Sequence, residues 1–187
     1  MFRPVRISPP TELPISVEDA KAFLRVDGAD DDELIEALIG AALDHLDGRA
    51  GILGRCLMTQ TWRYRLASFR RSIDLDMPGA TAAVLRYANR DGVQQTVDAS
   101  DVTLVETVRG SVIVVADSVN GADWFGPFEA DVTFGTQPLL LPPAIVQAIR
   151  ILVAHWYSNR EVIVPGAVSE VPMSVRALIS PYRWMSI

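Results

Sequence analysis

Two histidines, His45 and His155, one cysteine, Cys56, and a surplus of carboxylates are the side chains here that can hold a metal, attack a carbon centre or move a proton. The histidines lie far apart, and neither belongs to the H-x-x-x-H or H-E-x-x-H spacing that sets two ligands on one helix face. Each reads instead as a helix residue whose ring meets a polar partner at the edge of a core. Cys56 has no lysine nearby; although it follows Arg55 at a helix-to-strand transition, it reads as a partly buried small residue and not as a nucleophile. Asp74 with Asp76, and Asp98 with Asp101, are paired in sequence, but acid–base chemistry needs a defined separation in space, and solvated surface accounts for both pairs. The run Asp30 to Glu33 lacks the alternating ligands, central glycine and distal glutamate of a calcium loop. There is no G-x-S-x-G elbow, no G-x-x-x-x-G-K loop and no G-x-G-x-x-G turn. The expectation is a chain with no catalytic residue, no cofactor site and no metal site, and therefore not an enzyme.

The elements that would position these residues can be read from periodicity. Pro4, Pro9, Pro10 and Pro14 forbid a helix before Ile15 and favour an extended arm. Ser16 offers an N-cap, Glu18 and Asp19 suit a first turn, and Val17, Ala20, Phe23, Leu24 and Val26 give a short amphipathic helix stopping at Gly28. The acidic run then opens a longer helix on Leu34, Ile35, Leu38, Ile39, Ala42, Leu43 and Leu46, which ends near Gly48 to Gly51. From Leu57 to Leu66 the pattern alternates and is rich in β-branched and aromatic residues, which predicts a strand. Further strands are predicted at Ala83 to Tyr87, Val93 to Val97, Val102 to Val105, Ser111 to Ala116 and Ala130 to Phe134, with turns between them. Pro142 and Pro143 open a strongly apolar helix to about Arg160. A loop with Pro165-Gly166 follows over Glu161 to Val171, and then a last short helix from Pro172 to Ile179. The fold class expected is α+β: a helical bundle core made by the N- and C-terminal helices, with a β-rich insertion between them. The parts are an arm and helices over 1–56, the insertion over 57–137, and helices with a terminal tail over 138–187.

Composition limits the partners. At 49% apolar and 21% charged, the 187 residues suit a packed core, not disorder. A net charge of −6 argues against gripping nucleic acid phosphates, although an acidic surface tolerates DNA that passes by. The one cysteine and the absence of a cationic-then-apolar opening suit folding in the cytoplasm. The most apolar stretch, Leu139 to Tyr157, holds two prolines, Gln147, Arg150 and His155, so it reads as a buried helix and not a membrane span.

Several blocks of the chain, taken in order, carry a resemblance. They are Asp19-Ala20-Lys21-Ala22-Phe23-Leu24-Arg25-Val26, the acidic linker with Glu33-Leu34-Ile35-Glu36-Ala37-Leu38-Ile39 and its exit at Gly48 to Gly51, and Leu57-Met58-Thr59-Gln60-Thr61-Trp62. Later come Leu141-Pro142-Pro143 with the helix through Glu161, and Ala177-Leu178-Ile179-Ser180-Pro181-Tyr182-Arg183-Trp184. This order resembles the head-tail adaptor (connector) proteins of tailed phages and phage-like gene transfer agents; the middle, Phe69 to Asp131, matches only in its β character. The resemblance implies a virion structural protein, made in the bacterial cytoplasm and placed at the particle neck. There, copies of the chain form a ring, dodecameric in the family, between the portal protein and the next head-completion (stopper) or tail protein, with DNA passing through unread. It also implies a C-terminal contact with the portal, assigned to Pro181, Tyr182, Arg183 and Trp184. The competing reading of that tail is that Tyr182 and Trp184 fold back on the chain's own core. The competing reading of the whole chain is a monomeric module that binds a peptide or glycan through Trp124 and Phe125, and a loop cover over the sheet explains those aromatics equally well.

Overall fold

The computed structural model describes residues 3–159 and 172–185. The loop expected at Glu161 to Val171 lies outside the described residues. The chain divides into two compact units, one of Met1–Thr11, Arg55–Gly135 and Trp184–Ile187, the other of Glu12–Gly54 and Thr136–Arg183.

Among the described residues the first unit has eight strands: β1 Val5–Ser8, β2 Gln60–Leu66, β3 Ser72–Asp74, β4 Ala80–Ala88, β5 Gln94–Thr96, β6 Val102–Thr107, β7 Gly110–Val115 and β8 Phe125–Phe134. They form a five-stranded sheet in the order β1-β2-β8-β4-β5 and a three-stranded sheet in the order β3-β7-β6, and every pairing is antiparallel. Alternation decides which residues go inward, because successive side chains on a strand face opposite ways. Tyr64 and Leu66 of β2, Leu85 of β4, and Phe128, Ala130, Val132 and Phe134 of β8 share one buried cluster with Ile73 of β3 and Ile113 and Val115 of β7. The Tyr64 ring is wholly buried, and its hydroxyl donates to Asp76 Oδ1 at 3.0 Å, so its polar tip is satisfied inside the core. Gly135 ends β8 at φ +83°, where a Cβ would lie 2.1 Å from the carbonyl oxygen of Met58; only glycine lets the chain leave the sheet there.

The described part of the second unit holds four α-helices: α1 Val17–Leu24, α2 Asp32–Leu46, α3 Pro143–Ser158 and α4 Met173–Ile179. Ser16 caps α1 by accepting from the Asp19 amide at 3.0 Å, a contact worth about 1 kcal/mol. The helix ends at Arg25, whose φ of 57° is left-handed, three residues before the glycine expected to stop it. α2 buries Ile35, Ile39, Ala42, Leu43 and Leu46, and α3 buries Ile145, Ala148, Ile149, Leu152 and Val153. Polar ties fix the start of α2: Lys21 Nζ lies 2.5 Å from Asp32 Oδ1, and the Tyr157 hydroxyl donates to Asp31 Oδ2 at 2.5 Å. Both carboxylates sit at the helix end where the macrodipole favours negative charge.

The expected helical bundle core with a β-rich insertion is not what the chain builds. The fold is mixed α+β with two antiparallel sheets, and the β region is no excursion from a helical core, because it has a hydrophobic core of its own. The reason is partly length. α1 and α4 have only eight and seven residues, about two turns each, too little to carry the apolar stripe of a bundle. The N-terminal arm also joins the sheet, where Val5 to Ser8 pair with β2 as an edge strand.

Candidate functional site

Among the described residues, no three His, Cys, Asp or Glu side chains come together to hold a metal ion. Cys56 is buried beside Met77, with its sulfur 3.9 Å from the thioether. His155 lies near the end of α3, where the Asn159 side-chain amide donates to its backbone carbonyl at 2.6 Å. His45 meets Trp156 edge-on at 5.9 Å, and its buried Nε2 has no hydrogen-bond partner among the described residues. Of the paired carboxylates, Asp74 is exposed and Asp76 accepts from Tyr64. Asp98 takes hydrogen bonds from the hydroxyl and amide of Ser100, which hold its carboxyl below the usual range. Asp101 accepts from the Ser118 hydroxyl at 2.7 Å. Each of these carboxylates is explained by local structure.

The most concentrated charge lies on the outer face of the five-stranded sheet. Register sets Arg63 opposite Asp131 and Arg65 opposite Glu129, while Arg86 of β4 stands opposite Glu129 and diagonal to Asp131. Arg63 grips Asp131 with two donors, Nε at 2.7 Å and Nη2 at 2.8 Å, and Arg86 donates to the same carboxylate. Arg65 Nε donates to Glu129 at 3.0 Å. Asp131 is only 8% exposed. The hydrogen bond from Arg63, with Arg86 beside it, outweighs burial and holds its carboxyl below the ordinary aspartate range. A carboxylate with both oxygens committed to guanidinium groups is poorly suited to take a proton or attack a substrate; here it pins three strands in register.

Two other surfaces are set apart by exposed or unpartnered side chains. In the helical unit, Leu13, Pro14, Ile15, Leu139, Val146 and Arg150 line a groove of about 760 Å³. Leu139 is 93% exposed, and the buried Nε of Arg150 has no hydrogen-bond partner among the described residues. At the C-terminal end, α4 runs into a 3₁₀ turn over Ser180–Tyr182. Pro181 and Arg183 are exposed, Tyr182 and Trp184 are half-buried, and the indole N–H of Trp184 is buried without an acceptor among the described residues.

The aromatic residues offered as a ligand-binding contact behave differently from one another. Trp124 is buried, stacked on Tyr87 at 4.4 Å with a 7° interplanar angle, and flanked by Phe69 at 4.3 Å and Phe128 at 5.6 Å. It belongs to the core, so it offers no open face to a peptide or glycan. Phe125 is 41% exposed, with the Arg90 guanidinium 5.5 Å from its ring centre.

The model of the phage gp6-like head-tail connector protein family matches residues 14–112, more than half of the chain. The chain belongs to this family. A head-tail connector is a structural part of a particle. The connector fold also matches solved structures over its whole length. One is described as the neck of an empty gene transfer agent particle computed with C6 symmetry, with a TM-score of 0.71 and 22% identity. Another comes from the virion of a native gene transfer agent particle, with a TM-score of 0.71 and 21% identity. A third is the neck of a native particle computed with C12 symmetry, with a TM-score of 0.63 and 22% identity. In all three the match covers 100% of this chain and 97% of the other. No curated protein sequence matches the connector chain.

Sequence reasoning did not find the Arg63–Asp131–Arg86 lock or the Leu139–Arg150 groove. The lock depends on strand register, which alternation alone does not give. The groove had a visible signal, an arginine and two leucines beside the paired prolines, but these were absorbed into a single apolar run.

Proposed function

We propose that the chain is an adaptor subunit of the neck of a phage-like particle, where copies form a ring between the portal and the next head-completion or tail protein. Membership of the head-tail connector family carries this reading, and the fold shared over the whole chain with neck proteins of gene transfer agents supports it. The role is mechanical and not enzymatic. Dodecameric stoichiometry, the twelvefold match of one such neck, is part of the proposal. A net charge of −6 suits a channel wall that DNA slides past without adhering. Such a subunit works at the particle neck and is made in the bacterial cytoplasm.

Within this reading, Pro181, Tyr182, Arg183 and Trp184 form the contact with the portal. Arg183 and Pro181 are exposed. Aromatic and arginine side chains are favoured anchors of protein interfaces. The test is co-sedimentation with the portal protein of the same gene cluster, comparing the full chain with one lacking residues 181–187. The tail assignment predicts at least a tenfold loss of binding with circular dichroism unchanged. Binding that survives the truncation would move the contact elsewhere.

A further inference from the structure

Among the described residues the two most exposed large apolar side chains are Leu139, at 93%, and Val108, at 87%, and each stands beside unpaired charge of opposite sign. Leu139 lies on the groove of the helical unit, with Leu13, Pro138 and Val146. That groove also carries the exposed carboxylates of Glu12 and Asp19 against one cation, Arg150, whose Nε is shielded from water. Val108 stands at the tip of the β6–β7 hairpin, next to the exposed Arg109. None of Glu12, Asp19 and Arg109 enters an ion pair among the described residues. The tip is held firmly. The Thr107 hydroxyl donates to the Gly110 carbonyl at 2.8 Å and accepts from the Arg109 amide at 3.2 Å. Gly110 has φ +118°, and a Cβ there would lie 2.7 Å from the Leu75 carbonyl oxygen. Behind the tip, Val105 and Val114 share the outward face of the hairpin and are exposed, so an apolar strip ends in a cation.

We propose that the β6–β7 tip of one copy seats in the groove of a second copy, with Val108 against Leu139 and Arg109 beside Glu12 and Asp19. The inference rests on the ring reading above and names one contact that would build the ring. Charge complementarity selects the occupant. A groove with two carboxylates against one guanidinium takes a cation, and the tip brings a cation on the same turn as its apolar anchor. A placement that sets Arg109 against Arg150 is repelled, which favours the register that brings it to the carboxylates. Removing Val108 and Leu139 from water together is favourable, and a tip already fixed by its own hydrogen bonds loses little freedom on docking. The two surfaces differ, so the contact is heterologous, and repetition closes it into a ring when the rotation allows. A hairpin tip is smaller than a self-sufficient interface, so the contact is tested in assemblies on the portal and not in free dimers.

The test places Val108→Cys and Leu139→Cys in one full-length chain, assembles it with the portal protein of the same gene cluster, and adds a short bis-maleimide. Both positions are exposed, whereas the native Cys56 is buried. The expected result is a ladder of dimers, trimers and larger species from the double variant and nothing above dimers from either single variant. In parallel, Arg109→Glu weakens ring assembly at least tenfold, and adding Glu12→Arg to that chain restores at least part of the loss. Rings that form without a ladder, or an Arg109→Glu chain that assembles like the parent, would overturn this contact and leave the ring reading standing. So would a Leu139→Cys chain that cross-links to the portal and not to Val108→Cys, since the groove would then belong to the portal. A parent chain that forms no rings, with a double variant that gives no ladder, would overturn both.

Discussion

Replacing Trp124 with alanine will destabilise the β-rich unit by about 3–5 kcal/mol, the range for emptying a large aromatic site in a core. The indole is in contact with three other rings, Tyr87, Phe69 and Phe128, so its removal leaves a cavity lined by flat, stiff side chains that cannot collapse into it. Denaturant unfolding followed by near-UV circular dichroism measures the loss. Phe125→Ala, one residue on and 41% exposed, is the control and should cost less than about 1 kcal/mol. A ligand-binding tryptophan would give the opposite pattern, a loss of binding with little loss of stability. An unfolding midpoint for Trp124→Ala equal to that of the parent would therefore contradict its place in the core.

The second large effect belongs to Asp131. Asp131→Ala removes the carboxylate that Arg63 and Arg86 share across β8, and leaves Arg63 its longer contact with Glu129 at 3.3 Å. A buried pair broken on one side costs about 3–5 kcal/mol, and because both arginines keep partial access to water the expected loss here is about 2–3 kcal/mol. The pH dependence follows in sign. The folded carboxyl titrates below its unfolded value, so its contribution is fully present above the unfolded pKa, about 4, and is lost as pH falls through the lower folded value. The parent should therefore lose stability more steeply than Asp131→Asn as the pH falls below about 4. Parallel acid titrations of the two would count against the lock.

Much of the secondary structure was legible in the sequence, and the reasons are local. Ser16 announces α1 because its hydroxyl reaches an orphan amide, and the apolar spacing of α2 and α3 marks both helices. Where local signals misled, tertiary context decided. β8 starts at Phe125, five residues before the predicted strand, because Gly126 and Pro127 read as loop until cross-strand partners on β2 and β4 are known. β3 has three residues, too few for any period to show. The bundle core was expected because the terminal helices are strongly apolar; what periodicity could not show is that strands on both sheets bury enough to make a second core. The same limit applies to function. The Arg63–Asp131–Arg86 lock joins residues brought together by register, and the groove joins residues far apart in the chain. The family is legible in the sequence because its blocks are sequential, as in Asp19 to Val26, and need no folding to be seen.

The most direct measurement is negative-stain electron microscopy of the full chain mixed with the portal protein of its own gene cluster. An adaptor subunit predicts rings stacked coaxially on the portal, with rotational symmetry visible in end-on views. A chain that remains monomeric beside intact portals, at every concentration and salt tried, would contradict the account.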